Sequence, residues 1–153
     1  ADILGKVNNF NEEEFRVALE LIDSYLEGED DYIVRVAVDH DGSIEGYVCY
    51  GRTPLTDGVY HLYWIAVDPG TQRNGVGTKL MEAMESEVSS MKGRMILLET
   101  SGTERYRAAR EFYSANGYRQ IACIKDFYRV GDDLIMYRKK LERRGDLEDR
   151  NDC

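Results

Sequence analysis

The segment Val67-Asp68-Pro69-Gly70-Thr71-Gln72-Arg73-Asn74-Gly75-Val76-Gly77-Thr78 carries the residues best suited to chemistry. It leads from a β-branched stretch into an apolar pattern of helical period, and glycine is concentrated where that helix begins. The first N–H groups of a helix have no intrahelical acceptor, and the helix dipole adds positive potential at the same point. Glycines let an anion approach such backbone closely, and Arg73 supplies a fixed positive charge. A loop of this kind can cradle a pyrophosphate. A plain strand-to-helix turn that needs glycine for its geometry has the same composition. Two familiar phosphate loops do not fit. A Walker A loop needs Gly-Lys-Ser/Thr, and the order here is Gly77-Thr78-Lys79. A dinucleotide fingerprint needs a third glycine where Leu80 stands, and it follows the first strand of its domain, whereas this loop follows the third.

The other chemically versatile residues are few. His61 lies near the start of a predicted strand and could titrate near neutrality; His40 sits in a turn. Cys49, Cys123 and Cys153 are an odd number without metal-type spacing, so they suggest neither a disulfide framework nor a zinc site. Cys49 and Cys123 read as strand-core thiols. A reducing, cytoplasmic setting fits such cysteine usage.

The elements that must position these residues follow from periodicity and turn signals. Phe15, Ala18, Leu19, Ile22, Tyr25 and Leu26 recur at helical spacing, with Asn11 as N-cap, Glu14 completing a capping box and Gly28 as the stop. Strands are expected over Tyr32–Val38 and Ile44–Tyr50, joined by the turn cluster Asp39-His40-Asp41-Gly42. A loop with Pro54 follows, then a strand over Tyr60–Val67. A second helix starts near Gly77, carries Leu80, Met84, Val88 and Met91 on one face, and ends by Gly93. Met95–Glu99 reads as a short buried strand. A third helix carries Tyr106, Ala109, Phe112 and Tyr113 and stops at Gly117; a last strand pair spans Tyr118–Phe127 and Leu134–Leu141. The order α-β-β-β-α-β-α-β-β implies an α/β domain with one mixed sheet and helices on both faces. The strand–helix–strand crossover over residues 60–100 must be parallel.

The chain of 153 residues is the size of one domain, with 42% hydrophobic residues and a formal net charge of −9. An acidic balance argues against a protein that coats nucleic acid, and no apolar run is long enough to span a membrane. The charge is uneven: residues 1–61 hold 14 acids and 4 bases, and residues 62–153 hold 15 acids and 16 bases. The acidic half is either a solvated face or a surface that attracts a cationic partner.

Gln72-x-x-Gly75-x-Gly77 after Trp64-Ile65-Ala66-Val67-Asp68-Pro69 resembles the acetyl-CoA motif of the GNAT N-acetyltransferases. Ala109-Arg110-Glu111-Phe112-Tyr113-Ser114-Ala115-Asn116-Gly117-Tyr118 is similar to that family's helix ending in an aromatic pair and Gly-aromatic, at a fitting distance from the glycine loop. The resemblance covers roughly residues 10 to 141. It implies a single domain over residues 1–141, a polar tail over 142–153, and a splayed sheet whose strands at 60–67 and 95–100 diverge around the pantetheine arm. It places backbone contacts to pantetheine on Ile65, Ala66 and Val67, and the pyrophosphate on the amides of Arg73, Asn74, Gly75, Val76, Gly77 and Thr78, with Gln72 shaping the loop. Where many members have a cofactor-contacting Asn, this chain has Tyr106, whose phenol could touch the pantetheine instead. The family's first strand has only the poor candidate Ile3–Val7 to serve for it, and the sequence starts at Ala1 without a Met, which leaves open a missing upstream piece.

The activity implied is transfer of an acetyl group from acetyl-CoA to an amine. A thiol leaving group has a pKa of about 8.5, which a nearby phenol of about 10 can protonate or hydrogen-bond. Tyr113 matches the family position that does this. Glu99 matches a position used as base in some members, and a carboxylate buried there could relay a proton through water. Trp64 is a core residue or a wall of the acyl site. Asp126, Tyr128, Asp132 and Asp133 cluster about the last hairpin, either as turn residues or as a holder for a cationic acceptor. The loop Pro54–Gly58 is expected to face the acceptor. Three other readings compete: the same fold using a longer acyl donor or acylating a protein N-terminus or lysine, a non-catalytic acetyl-CoA-binding sensor or partner module, and a nucleotide-binding module using the same loop. A homodimer is possible through the apolar residues Leu134, Ile135, Met136 and Tyr137.

Overall fold

The computed structural model describes residues 32–72 and 74–142. The expected first helix, the segment Ile3–Val7, Arg73 and all of the polar tail but Glu142 lie outside the described residues. Strand β1 (Tyr32–Val38) and β2 (Ile44–Arg52) form an antiparallel hairpin. Its turn is organised by Asp39, whose carboxylate accepts the N–H groups of Asp41 and Ser43, each at 2.9 Å. Strand β3 (Val59–Val67) pairs antiparallel with β2, and helix α1 (Val76–Ser90) then crosses to β4 (Met95–Ser101), parallel to β3. A single 3-10 turn (Glu104–Tyr106) leads into helix α2 (Arg107–Ala115), followed by the antiparallel pair β5 (Arg119–Arg129) and β6 (Asp132–Lys140). The sheet order is β1-β2-β3-β4-β6-β5. No helix among the described residues is long and apolar enough to cross a membrane.

The core follows from strand alternation. Val48 and Tyr50, Tyr60 and Leu62, Ile96 and Leu98, and Ile135 and Tyr137 point to one face of the sheet. There they meet Val76, Leu80, Met81, Met84 and Val88, the apolar stripe of α1. Burying each large apolar side chain contributes about 1.5–3 kcal/mol. An ionic cross-tie secures the helix: Glu87 accepts from the buried Tyr50 hydroxyl at 2.6 Å and from Arg35 Nε at 2.9 Å, joining α1 to β2 and β1.

Two expectations are corrected. Tyr106 closes the 3-10 turn and precedes α2 rather than lying on it. Cys123 is exposed, because β5 is an edge strand with solvent along nearly its whole length. Strand β6, whose apolar residues were one option for a dimer contact, is flanked by β4 and β5, and its Leu134, Ile135 and Tyr137 are buried within the chain.

The feature that shapes a site is the incomplete pairing of β3 with β4. They are in register only from Val59–Leu62 to Met95–Leu98. Beyond that, β3 stays paired to β2 through Val67, and β4 stays paired to β6 through Ser101. The register between β2 and β3 slips at this point: Tyr50 faces Leu62 and Cys49 faces Trp64, which leaves Tyr63 as an extra residue on β3. A bulge of this kind increases local twist, and here it coincides with the departure of β3 from β4.

Candidate active site

The loop after β3 is pinned to the end of that strand. The Asp68 carbonyl accepts the N–H groups of Thr71 at 2.9 Å and Gln72 at 3.1 Å, and its carboxylate accepts Gly70 N–H at 2.8 Å. Gln72 Nε2 donates to the Val67 carbonyl at 3.3 Å. Gly75 then takes φ 76° as the N-cap of α1, without any side-chain cap and without an acidic residue in the first turn. A side chain cap would occupy the first amides, so its absence keeps them directed outward. A Cβ on Gly75 would meet nothing within 4 Å, so the space before the helix is open. Gly77 has the opposite setting. A Cβ there would lie 3.2 Å from Cε2 and Cζ of Phe112 and 3.5 Å from Val67 Cγ2. This glycine lets the start of α1, the end of β3 and the ring of Phe112 on α2 meet. Ile65 and Val67 are half-buried against the core and Ala66 is buried, and alternate backbone groups of this stretch face the gap.

Helix α2 is held at both ends. Arg110 Nη1 donates to the carbonyls of Ser101 at 2.7 Å and Thr103 at 2.6 Å, tying α2 to the end of β4. At the other end, Gly117 N–H bonds the Ser114 carbonyl at 3.1 Å and Tyr118 N–H bonds the Tyr113 carbonyl at 3.0 Å, a Schellman motif. Tyr118 is buried, and its hydroxyl donates to Glu85 on α1 at 3.1 Å. Lys139 Nζ on β6 donates to Glu85 at 2.7 Å and to the Asn116 carbonyl at 2.9 Å. Between these anchors, Tyr113 packs its ring against Phe112, Tyr118 and Tyr137, with centroids 5.8, 6.5 and 6.0 Å away. Burial pushes the Tyr113 phenol up to about 12, with a smaller push from Tyr137. The group therefore stays protonated across the physiological range.

Because side chains alternate along a strand, Tyr113 and Glu99 lie on opposite sides of the sheet. Tyr113 packs with the core on the α1 side, whereas Glu99 follows Leu98 and points the other way. Glu99 is exposed rather than buried, because β3 has already left β4 at that level. On the same face, His61 stands opposite Leu97, two residues before Glu99. It is half-buried and stacked on Tyr63, with ring centroids 4.9 Å apart and 31° between planes. Tyr63 in turn meets Tyr32 edge-on at 5.0 Å, across β2 where Gly51 is the cross-strand residue. Burial lowers the His61 pKa, and the nearby Glu99 charge opposes part of that shift. Trp64 is half-buried on β3. Sequence reasoning missed the grouping of His61, Tyr63 and Glu99, because it depends on the parallel register and on the bulge.

The acidic cluster of the last hairpin is engaged in the hairpin itself. Asp126 accepts Gly131 N–H at 2.7 Å; Asp133 accepts Asp126 N–H at 3.0 Å and Lys125 Nζ at 2.7 Å. Asp132 accepts the Ser101 hydroxyl at 2.6 Å and so joins β6 to the end of β4. Turn chemistry accounts for these carboxylates. Of the 14 acids in residues 1–61, ten precede Tyr32 and lie outside the described residues. Among the described residues no group of three or more His, Cys, Asp or Glu is arranged to hold a metal ion.

Comparison with known proteins places this geometry in a family. The model of the acetyltransferase (GNAT) domain matches residues 30–120. The S-(2-succino)cysteine N-acetyltransferase of Bacillus subtilis is 30% identical over 69 residues, which span 45% of this chain and 42% of that protein. A solved GNAT-family protein from Desulfovibrio desulfuricans is 40% identical, superposes with a TM-score of 0.88, and covers 92% of this chain and 89% of its own. An aminoglycoside 6′-N-acetyltransferase solved with coenzyme A shares the fold at 20% identity, with a TM-score of 0.71 over 95% of this chain and 90% of its own. The chain belongs to the GNAT acetyltransferase family.

Proposed function

We propose that this chain transfers the acetyl group of acetyl-CoA to a primary amine, directly, within a ternary complex. The observation that supports the reading is the gap between β3 and β4, with an uncapped helix start following the end of β3. The structure of a relative with coenzyme A supports the same cosubstrate here. In this reading Ile65, Ala66 and Val67 offer backbone groups to the pantetheine amides, and Tyr106 lies beside the arm. Arg73, Asn74, Gly75, Val76, Gly77 and Thr78 receive the pyrophosphate, in a loop that Gln72 closes. Residues 1–141 form the catalytic domain, and residues 142–153 are a polar tail.

Tyr113 donates to the departing thiolate. A phenol that stays protonated across the physiological range is always in the donor form, and proximity to the sulfur offsets its weak acidity. Glu99, exposed on the opposite face, draws the positive charge of the incoming ammonium and assists its deprotonation. The acceptor is a cationic amine. The relatives' own acceptors, an aminoglycoside in one case and S-(2-succino)cysteine in another, define the range to be sampled.

The test is free-thiol release from acetyl-CoA with an aminoglycoside, a polyamine, S-(2-succino)cysteine and a short peptide with a free α-amine, beside calorimetric titration with CoA and with ATP. Turnover above acetyl-CoA hydrolysis with any amine supports the reading. CoA binding without turnover, unchanged by Tyr113→Phe, identifies a non-catalytic binding module; preference for ATP over CoA refutes the proposal.

A further inference from the structure

We propose that the hydroxyl of Tyr47 is a subsite for the acceptor, donating a hydrogen bond to an oxygen of the substrate several bonds from the nitrogen that is acetylated. The inference rests on the acetyltransferase reading and assigns a specificity residue within it. Tyr47 is 5% exposed, and its hydroxyl oxygen, wholly buried, has no hydrogen-bond partner among the described residues. A buried polar group without a partner is costly and rare, and it calls for an explanation. The buried Tyr50 and Tyr118 hydroxyls, by contrast, donate to Glu87 at 2.6 Å and to Glu85 at 3.1 Å.

The direction of the Tyr47 ring follows from its neighbours. Val48 and Tyr50 belong to the core on the α1 side, so alternation turns Tyr47 and Cys49 to the other face of the sheet. That is the face of Glu99, opposite to Tyr113. Across the strands from Tyr47 stand Val36 on β1 and Ala66 on β3. Val36 is 53% exposed, whereas Ala66, with a single methyl, is 4% exposed. A ring leaning toward β1 would have covered Val36. The ring leans toward β3 instead, where the small side chain of Ala66 leaves it room. At this level β3 has no neighbour on its far side, because its pairing with β4 ends at Leu62. The hydroxyl is thus carried over β3 toward the open gap.

The chemistry of the ligand follows. Burial first, and the neighbouring Cys49 second, hold the phenol well above its ordinary range, so it keeps its proton and donates. Its complement is an oxygen that accepts: a hydroxyl, a carbonyl or a carboxylate. Glu99 stands one residue past Leu98, the partner of Leu62, and Tyr47 stands three residues along β2 from Tyr50, which also faces Leu62. The two levels therefore differ by two residues, or about 7 Å along the strands. An ammonium drawn to Glu99 carries its oxygen function several bonds away. An amine without such an oxygen leaves the hydroxyl orphaned, and a site built to hydrogen-bond a substrate oxygen discriminates against the analogue that lacks it.

Two measurements on Tyr47→Phe test it. The first is a thermal melt, which needs no substrate. Removing a hydroxyl satisfied within the fold would lower Tm by about 2–4 °C, whereas removing an orphan leaves Tm unchanged or raises it, which is the result expected. A lowered Tm shows that the hydroxyl is partnered inside the protein and overturns the proposal. The second is the ratio of kcat/KM for an oxygen-bearing amine of the panel to that for the polyamine, which has no oxygen. The substitution should lower this ratio about ten- to 150-fold where the oxygen belongs to a carboxylate, and about two- to tenfold where it is neutral, through KM rather than kcat. An unchanged ratio overturns the proposal, and so does wild-type turnover confined to the polyamine. An unchanged ratio with weaker CoA binding by calorimetry assigns the hydroxyl to the cosubstrate, which overturns it as well. Absence of turnover by the wild type with every amine refutes the acetyltransferase reading and the subsite with it, whereas an unchanged ratio in an active enzyme refutes the subsite alone.

Discussion

Replacing Gly75 with alanine separates the ligand-binding role of the loop from its folding role. Gly75 has φ 76°, a conformation that costs an L-residue about 1–2 kcal/mol. Nothing lies within 4 Å of the added Cβ, so strain is the only term. For a chain of this size about 1 kcal/mol shifts Tm by about 2–4 °C, so the variant should melt about 2–8 °C lower and remain folded at 25 °C. The added methyl projects into the open space before the uncapped amides of α1, where the pyrophosphate is proposed to rest. Losing one charge-assisted hydrogen bond costs about 1.5–3 kcal/mol, or about ten- to 150-fold in Kd. Gly77→Ala is the matched control. Its backbone is not in the left-handed region, and its Cβ presses on the Phe112 ring at 3.2 Å, so it should perturb the junction of α1, β3 and α2 with little αL strain. The assay is calorimetric titration of CoA together with a thermal melt of each variant. A folded Gly75→Ala protein with wild-type CoA affinity refutes the loop assignment.

Tyr113→Phe should lower kcat by about 10- to 10⁴-fold, with a much smaller change in KM for acetyl-CoA, as steady-state kinetics will show. Since burial raises that phenol to about 12 and the protonated form is the active one, its loss begins only as pH rises toward that value; a profile over pH 7 to 10 should show no falling limb from this group. Glu87→Ala leaves the buried Tyr50 hydroxyl without its acceptor and should cost about 1–3 kcal/mol in urea unfolding at pH 7. The Tyr50 hydrogen bond first, and Arg35 second, hold the Glu87 carboxyl below its usual range. Its contribution is therefore present above the ordinary carboxylate pKa and is lost as pH falls through the folded value, so the gap between wild type and variant should narrow at pH 3. If charge draws the acceptor in, kcat/KM for a cationic amine should fall as ionic strength rises toward and beyond a screening length of about 8 Å at 0.15 M, whereas a neutral analogue should respond little.

Local signals in the sequence located most of the described architecture. The β-branched run Tyr32–Val38 and the turn at Asp39–Gly42 are written in adjacent residues, as are the helical stripe of Leu80, Met84 and Val88 and the stop at Gly117. The glycine loop was legible as a strand-to-helix junction, because glycine suits the left-handed φ of 76° at the N-cap of α1. Other features depended on partners far away in the chain. The burial of Glu99 was misjudged because its exposure is decided by where β3 leaves β4, which no residue near Glu99 encodes. Cys123 looked like a core thiol because its neighbours are apolar, but β5 turned out to be an edge. The sequence left the hairpin aspartates either as turn residues or as a cation holder, and their N–H and hydroxyl donors are what a turn role requires. His61 gained significance only once the parallel register set it two residues from Glu99 on one face.

The four residue pairs that join β3 to β4 also divide the sheet mechanically. On one side is a leaf of β1, β2 and β3, and on the other a leaf of β4, β6 and β5, each laddered within itself apart from local bulges. The seam between them is about 13 Å long at the usual rise per residue. Bending compliance is concentrated at that seam, and the α1 crossover bridges it as a brace. An extended ligand that hydrogen-bonds along the unzipped edge of β3 and touches α2 on the other leaf acts as a splint. It would slow solvent exchange at the amides of Tyr63–Val67 and stiffen the angle between the leaves. The same opening that admits the substrate is then the joint that the substrate locks.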